Sequence, residues 1–146
     1  MKRDSKLSGV LHILLHMAVA DAPVTSEQLA TIMQTNPVVV RRLLAGLRDA
    51  GHVSSENGRG GGWRIHCDLE TTTLKDIYLA VGAPDLFAIG HRSQHPGCLV
   101  EKAVNAELGD ALDKAQEQLL KRFSQVTLQQ LLQQFRRSPK QCGHDG

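Results

Sequence analysis

Four arginines and a run of glycines are the residues of this 146-residue sequence best equipped to meet a polyanion. Arg41 and Arg42 are adjacent, and Arg59 and Arg64 flank the glycines of ENGRGGGWRI, residues 56–65. Guanidinium groups pair with phosphate oxygens and with the acceptor edges of bases. Glycines allow tight turns and close backbone approach, but they lose the most freedom on ordering, so something must offset that loss. A phosphate-cradling loop would need G-x-x-x-x-G-K-[ST] opening a helix. Here no Lys-Ser/Thr follows, and Trp63, Arg64 and Ile65 read as a strand. A dinucleotide fingerprint fails on the same order of elements. A mere linker sits poorly beside Trp63 and Ile65, which call for packing. The run therefore reads as the tip of a β-hairpin.

A second cluster is His91, His95 and Cys98, a His-x3-His-x2-Cys set. With a fourth ligand from elsewhere it could hold zinc or copper. A polar loop around an ordinary buried cysteine is the plainer reading, and we assign no metal. Cys98 is also a candidate redox thiol, because a helix N-terminus favours thiolate. His12 and His16 share a helix face at i, i+4, where core or interface histidines are the plain expectation. No Ser–His–Asp or Cys–His catalytic order stands out, so nothing supports an enzyme. Cys67, Cys98 and Cys142 are odd in number and widely spaced, which is no disulfide framework and points to a reducing cytoplasm.

These side chains need elements to hold them. Hydrophobic residues make up 41% and charged residues 22%, the balance of a globular protein, with too few aromatics (3%) for anything but an aliphatic core. No apolar run reaches the roughly 20 residues of a membrane span. The basic start and apolar stretch of MKRDSKLSGVLHILLHMAVA resemble a signal peptide, but His12 and His16 interrupt it. Helical spacing at Leu7, Val10, Leu11, Leu14, Leu15 and Ala18 predicts a first core helix. Thr25 and Gln28 form a capping box for a short helix carrying Leu29, Ile32 and Met33. Asn36 and Pro37 open another, with Val40, Leu43, Leu44 and Leu47 on its inner face and Gly51 as its stop. This is a helix-turn-helix followed by a hairpin.

Thr73 and Asp76 cap a helix to about Val81; Thr127 and Gln130 cap one carrying Leu128, Leu131, Leu132 and Phe135. Between them Val100, Val104, Leu108, Leu112, Ala115, Leu119 and Phe123 predict a long helix whose stripe wants the same helix of a second subunit. The expected fold is mainly α with a small β-hairpin: a winged helix-turn-helix over 1–82, a loop over 83–98, dimerisation helices over 99–136 and a tail over 137–146. Residues 1–64 hold eight Lys and Arg against five acids, a net +3 within the whole chain's +2, which permits a polyanionic partner for the first half.

PVTSEQLATIMQTNPVVVRRLLAGLRDAGHVSSENGRGGGWRI…LKDIYLAV resembles the Rrf-type family of bacterial winged-helix transcriptional regulators. Its most specific parts are LRDAGHV and GRGGGWRI, and the likeness runs from Leu7 to about Phe135. The resemblance implies a homodimer, with long helices crossing between subunits and two recognition helices facing a palindromic DNA operator. It assigns Val38, Val39, Arg41 and Arg42 to the recognition face, and Asn57, Gly58, Arg59 and, more weakly, Arg64 to the wing. Thr25 and Ser26 would then lie near phosphates at a helix N-terminus. Cluster-binding members carry three cysteines around the start of the long helix, where this chain has only Cys98. We therefore expect no iron–sulfur cluster, no other cofactor and no membrane partner.

Overall fold

The computed structural model describes residues 5–88 and 97–137. Six helices and one hairpin follow in the order α1 (Lys6–Val19), α2 (Ser26–Met33), α3 (Pro37–Asp49), β1 (Val53–Glu56), β2 (Gly62–Ile65), α4 (Leu74–Ala80), α5 (Leu99–Phe123) and α6 (Leu128–Arg137). This is the mainly helical winged fold expected from the sequence. In α1 the fully buried positions are Val10, Ile13, Leu14 and Met17. Leu7 and Leu11 are only partly buried, so the inner face is rotated slightly from the expected stripe.

The helix ends explain the tight joints. The Thr25 hydroxyl accepts from the Gln28 amide, and the Thr25 amide donates to the Gln28 Oε1. α2 stops at Gln34, in the left-handed region at φ 57°. Asn36 then accepts from the Val39 amide, with Pro37 in the first turn of α3. At the far end, His52 donates to the Leu47 carbonyl and Gly51, at φ +84°, to that of Arg48. That paired 6→1 and 5→2 closure turns the chain sharply into β1.

The hairpin is antiparallel, with Val53 opposite Ile65, Ser54 opposite Arg64, Ser55 opposite Trp63 and Glu56 opposite Gly62. A third segment joins it. Val24 donates to the Trp63 carbonyl at 3.0 Å and accepts from the Trp63 amide at 2.8 Å. β2 is therefore hydrogen-bonded along both edges, which ties the wing to the entry of α2. Val24, just before the capping box, gave no strand signal of its own.

One core unites these pieces. Val10, Ile13 and Leu14 of α1 meet Leu29 of α2, Val40, Leu44 and Leu47 of α3, Val53, Trp63, Ile77 of α4 and Leu128 of α6. α6, grouped by sequence with the long helix, thus packs into the head through Leu128 and Leu132. Its start is stitched to the start of α4: Leu74 donates to the Val126 carbonyl, and Leu128 to that of Thr72. α5 differs from every other helix. None of its 25 residues is buried. Leu99, Val100, Val104 and Leu108 are 81%, 71%, 50% and 40% exposed. Its last turn engages the head, where Phe123 meets Tyr78 edge-on at 6.1 Å.

Candidate nucleic-acid interface

The turn into α2, the outer face of α3 and the hairpin line one groove of about 480 Å³. α2 contributes Thr25, Ser26 and Glu27, α3 contributes Arg41 and Arg48, and the wing contributes Glu56, Asn57 and Gly58, with Trp63 beneath. The glycines permit this closeness. A Cβ on Gly61 would collide with the Glu56 carbonyl, and one on Gly62 would lie 2.6 Å from the Val24 carbonyl. Gly62 also sits at φ +149°, where L side chains are strained.

Trp63 is the joint of the site. It is 8% exposed, and its indole Nε1 donates to the Ser26 Oγ at 3.0 Å. The Arg48 guanidinium stacks over the same ring, 5.7 Å from its centre. Ser26 is itself buried, so its hydroxyl serves the indole. What the turn offers to solvent is its backbone: the amides of Ser26 and Glu27 lie in the first turn, where a helix supplies no acceptor of its own.

On α3, Arg41 and Arg42 are exposed, Val38 is 58% exposed, and Val39 is half-buried with its amide capped. Arg41 Nη2 donates to Glu27 Oε1 at 2.9 Å, and Arg64 Nε to Glu56 Oε1 at 3.1 Å. The second pair is diagonal across the hairpin, on the face opposite Trp63. Arg42 and Arg59 form no ion pair among the described residues. Glu27, Glu56 and Arg48 were not picked out from the sequence. Glu27 lies 14 residues before its arginine, a distance at which no local spacing rule operates.

Cys98 is exposed and stands at the N-cap of α5. Its sulfur makes no capping bond of ordinary geometry, yet the amides of Glu101 and then Val100 hold the thiol below its usual pKa. His91 and His95, weighed with it as metal ligands, lie outside the described residues, as does Cys142. Among the described residues no three His, Cys, Asp or Glu side chains converge. His12 and His16 share a hydrogen bond, Nε2 to Nε2 at 3.1 Å, and lie half-buried beside Leu15, Val19 and Phe135, none of which lines the groove. No described helix is long and apolar enough to cross a membrane.

Comparison with known proteins agrees with this architecture. Residues 3–134 match the Rrf2 family model, described as an iron-dependent transcriptional regulator. The HTH-type transcriptional regulator YwnA of Bacillus subtilis is 29% identical over 130 residues, covering 88% of this chain and 96% of that protein. A transcriptional regulator from Lactobacillus plantarum superposes with a TM-score of 0.74 at 24% identity, covering 91% of each chain. CymR, the global cysteine regulator of B. subtilis, superposes at 0.61 with 22% identity, over 92% of this chain and 98% of its own. These are regulators and not enzymes, and the chain belongs to the Rrf2 family of transcriptional regulators.

Proposed function

We propose that the chain is a homodimeric repressor that binds a palindromic operator in the cytoplasm. The observation that carries this reading is the single groove shared by the α2 turn, the outer face of α3 and the wing. A duplex laid there would meet Val38, Val39, Arg41 and Arg42 in the major groove. Its phosphates would meet the Thr25 and Ser26 turn, and its flank would meet Asn57, Gly58, Arg59 and Arg64.

The test begins with duplexes selected from a randomised library on the unaltered protein. Arg41→Ala combined with Arg42→Ala should weaken binding to the selected duplex by about a thousandfold or more, at about 1–3 kcal/mol for each of the four contacts that two heads would make. Retained affinity in that double variant would overturn the assignment. The rival reading is a protein-docking module, for which a winged helix is an adequate surface. Its signature is an affinity that barely changes with salt, where phosphate contacts give a steep fall.

The family model carries the description iron-dependent. A cluster asks for about four ligands, chiefly thiolates. Among the described residues, one cysteine, Cys67, is half-buried against the head core, and the other, Cys98, is exposed at the start of α5. That donor set does not fit a cluster. We propose instead that Cys98 is the responsive group, a peroxide taking its thiolate to sulfenic acid with release of hydroxide and so altering how α5 is held, with a small ligand as the other trigger. Protein purified without oxygen should be colourless. Its operator affinity should shift between reductant and oxidant, and Cys98→Ser should remove the shift. Visible cluster absorbance, or equal shifts in both proteins, would reject this mode of control.

A further inference from the structure

Arg41, which lines the groove, is already paired with a carboxylate, as is Arg64 on the outer face of the wing, whereas Arg42 and Arg59 are not. Arg41 is bound by Glu27 at 2.9 Å while Arg42 has no ion pair among the described residues; in the wing Arg64 is bound by Glu56 while Arg59 has none. The Arg41–Glu27 side chains are 53% and 66% exposed. Exposed ion pairs add little to stability, so holding the fold together is a weak reason for this one. Its place in a groove that should receive a polyanion needs a different reason. Every carboxylate there repels phosphate.

Building on the DNA-binding reading, we infer that Glu27 is a positioning residue for sequence recognition: it holds the Arg41 guanidinium for a guanine base edge and leaves phosphate to Arg42. A guanidinium carries five N–H donors, and Glu27 occupies one of them through Nη2. Guanine offers O6 and N7 in the major groove, two neutral acceptors that match the remaining fork. A neutral base edge can sit close to the Glu27 carboxylate, whereas a phosphate in the same place would bring two anions together. The carboxylate is well held for this task. It follows Ser26, whose side chain is fixed by the Trp63 indole, and it lies in the first turn of α2, where the helix dipole favours a negative charge. Arg42, one residue on and exposed, is the cation left to neutralise phosphate.

The test compares single variants on the library-selected duplex and on a scrambled duplex across a salt series. Glu27→Gln keeps the shape of the side chain and removes its charge. Arg41 then becomes an uncompensated cation, so binding to scrambled DNA should tighten and the salt slope of the dimer should steepen by about 1.8, one phosphate's worth for each head. Preference for the selected duplex should fall about a hundredfold, tenfold for each half-site. Arg42→Ala should do the converse, making the slope shallower by about 1.8 while leaving the preference intact. Arg41→Lys should keep the slope and lose the preference, since a lysine lacks the fork. Matching melting temperatures would show that each variant folds. Selective binding by the unaltered protein with slope and preference unchanged in Glu27→Gln overturns the inference alone. No selective DNA binding by the unaltered protein overturns the DNA-binding reading and the inference with it.

Discussion

Replacing Val104 and Leu108 together with glutamate should convert the protein to a monomer and reduce operator affinity by two to four orders of magnitude. α5 buries no residue of its own, and both positions lie in the apolar stripe on its exposed side. A helix of 25 residues spans about 37 Å, and in proteins most of a helix's stability comes from packing its apolar face. The second copy of α5 is the proposed cover. Two glutamates per chain would put four charges into that seam, each with a desolvation cost and no partner. The loss of DNA binding follows from linkage: two heads on one duplex gain roughly 10²–10⁴ over one head through effective concentration. Light scattering gives the mass and a binding titration gives the affinity. A glutamate variant that stays dimeric with full affinity would remove α5 as the seam. Because the head core does not use α5, helical content in residues 5–88 should survive.

Trp63→Ala should be the most destabilising single change in the head. Trp63 fills the core at 8% exposure, pairs with Val24 on one edge and Ser55 on the other, and anchors both Ser26 and Arg48. Deleting a buried large aromatic costs about 3–5 kcal/mol, which for a chain of this size lowers the melting temperature by roughly 8–16 °C. Ser26→Ala provides the internal comparison. It leaves the ring in place and strands only the indole N–H, for about 1–3 kcal/mol. The order Trp63→Ala well below Ser26→Ala, and Ser26→Ala below the unaltered chain, is measured by thermal unfolding followed by circular dichroism. If the Trp63→Ala protein melts within a degree or two of the unaltered one, the indole is not the joint described above.

The architecture was legible because its signals are local. The capping boxes at Thr25, Thr73 and Thr127 and the Asn36 cap each act within four residues, and all four are realised. The hairpin followed from the glycine run, in which Gly61 and Gly62 have no room for a side chain and Gly58 and Gly60 stand at positive φ. The parts that were not legible depend on residues far apart in the chain. Val24 joins the sheet by pairing with Trp63 across 39 positions, and the Ser26 hydroxyl accepts from the indole of that same residue, 37 positions away. The Glu27–Arg41 pair likewise needs the helix-turn-helix angle before it exists. The apolar stripe of α6 grouped it with the long helix, and the stitch between Thr72–Leu74 and Val126–Leu128, distant in sequence, together with burial of Leu128 and Leu132, draws it into the head.

That stitch also gives α5 the mechanics of a lever. Its C-terminal end is clamped, through Phe123 on Tyr78 and the paired starts of α4 and α6, while its other end begins at Cys98 with no buried residue around it. With a fulcrum at one end and an arm of about 37 Å, a tilt of about 5° at the clamp corresponds to a displacement of about 3 Å at Cys98. The wing adds no slack of its own, since β2 is bonded on both edges. In the proposed dimer, a push at the Cys98 end would reach α3 as rotation of a whole head. In a dimer that rotation sets the distance between two reading heads, the one dimension a fixed palindrome can measure.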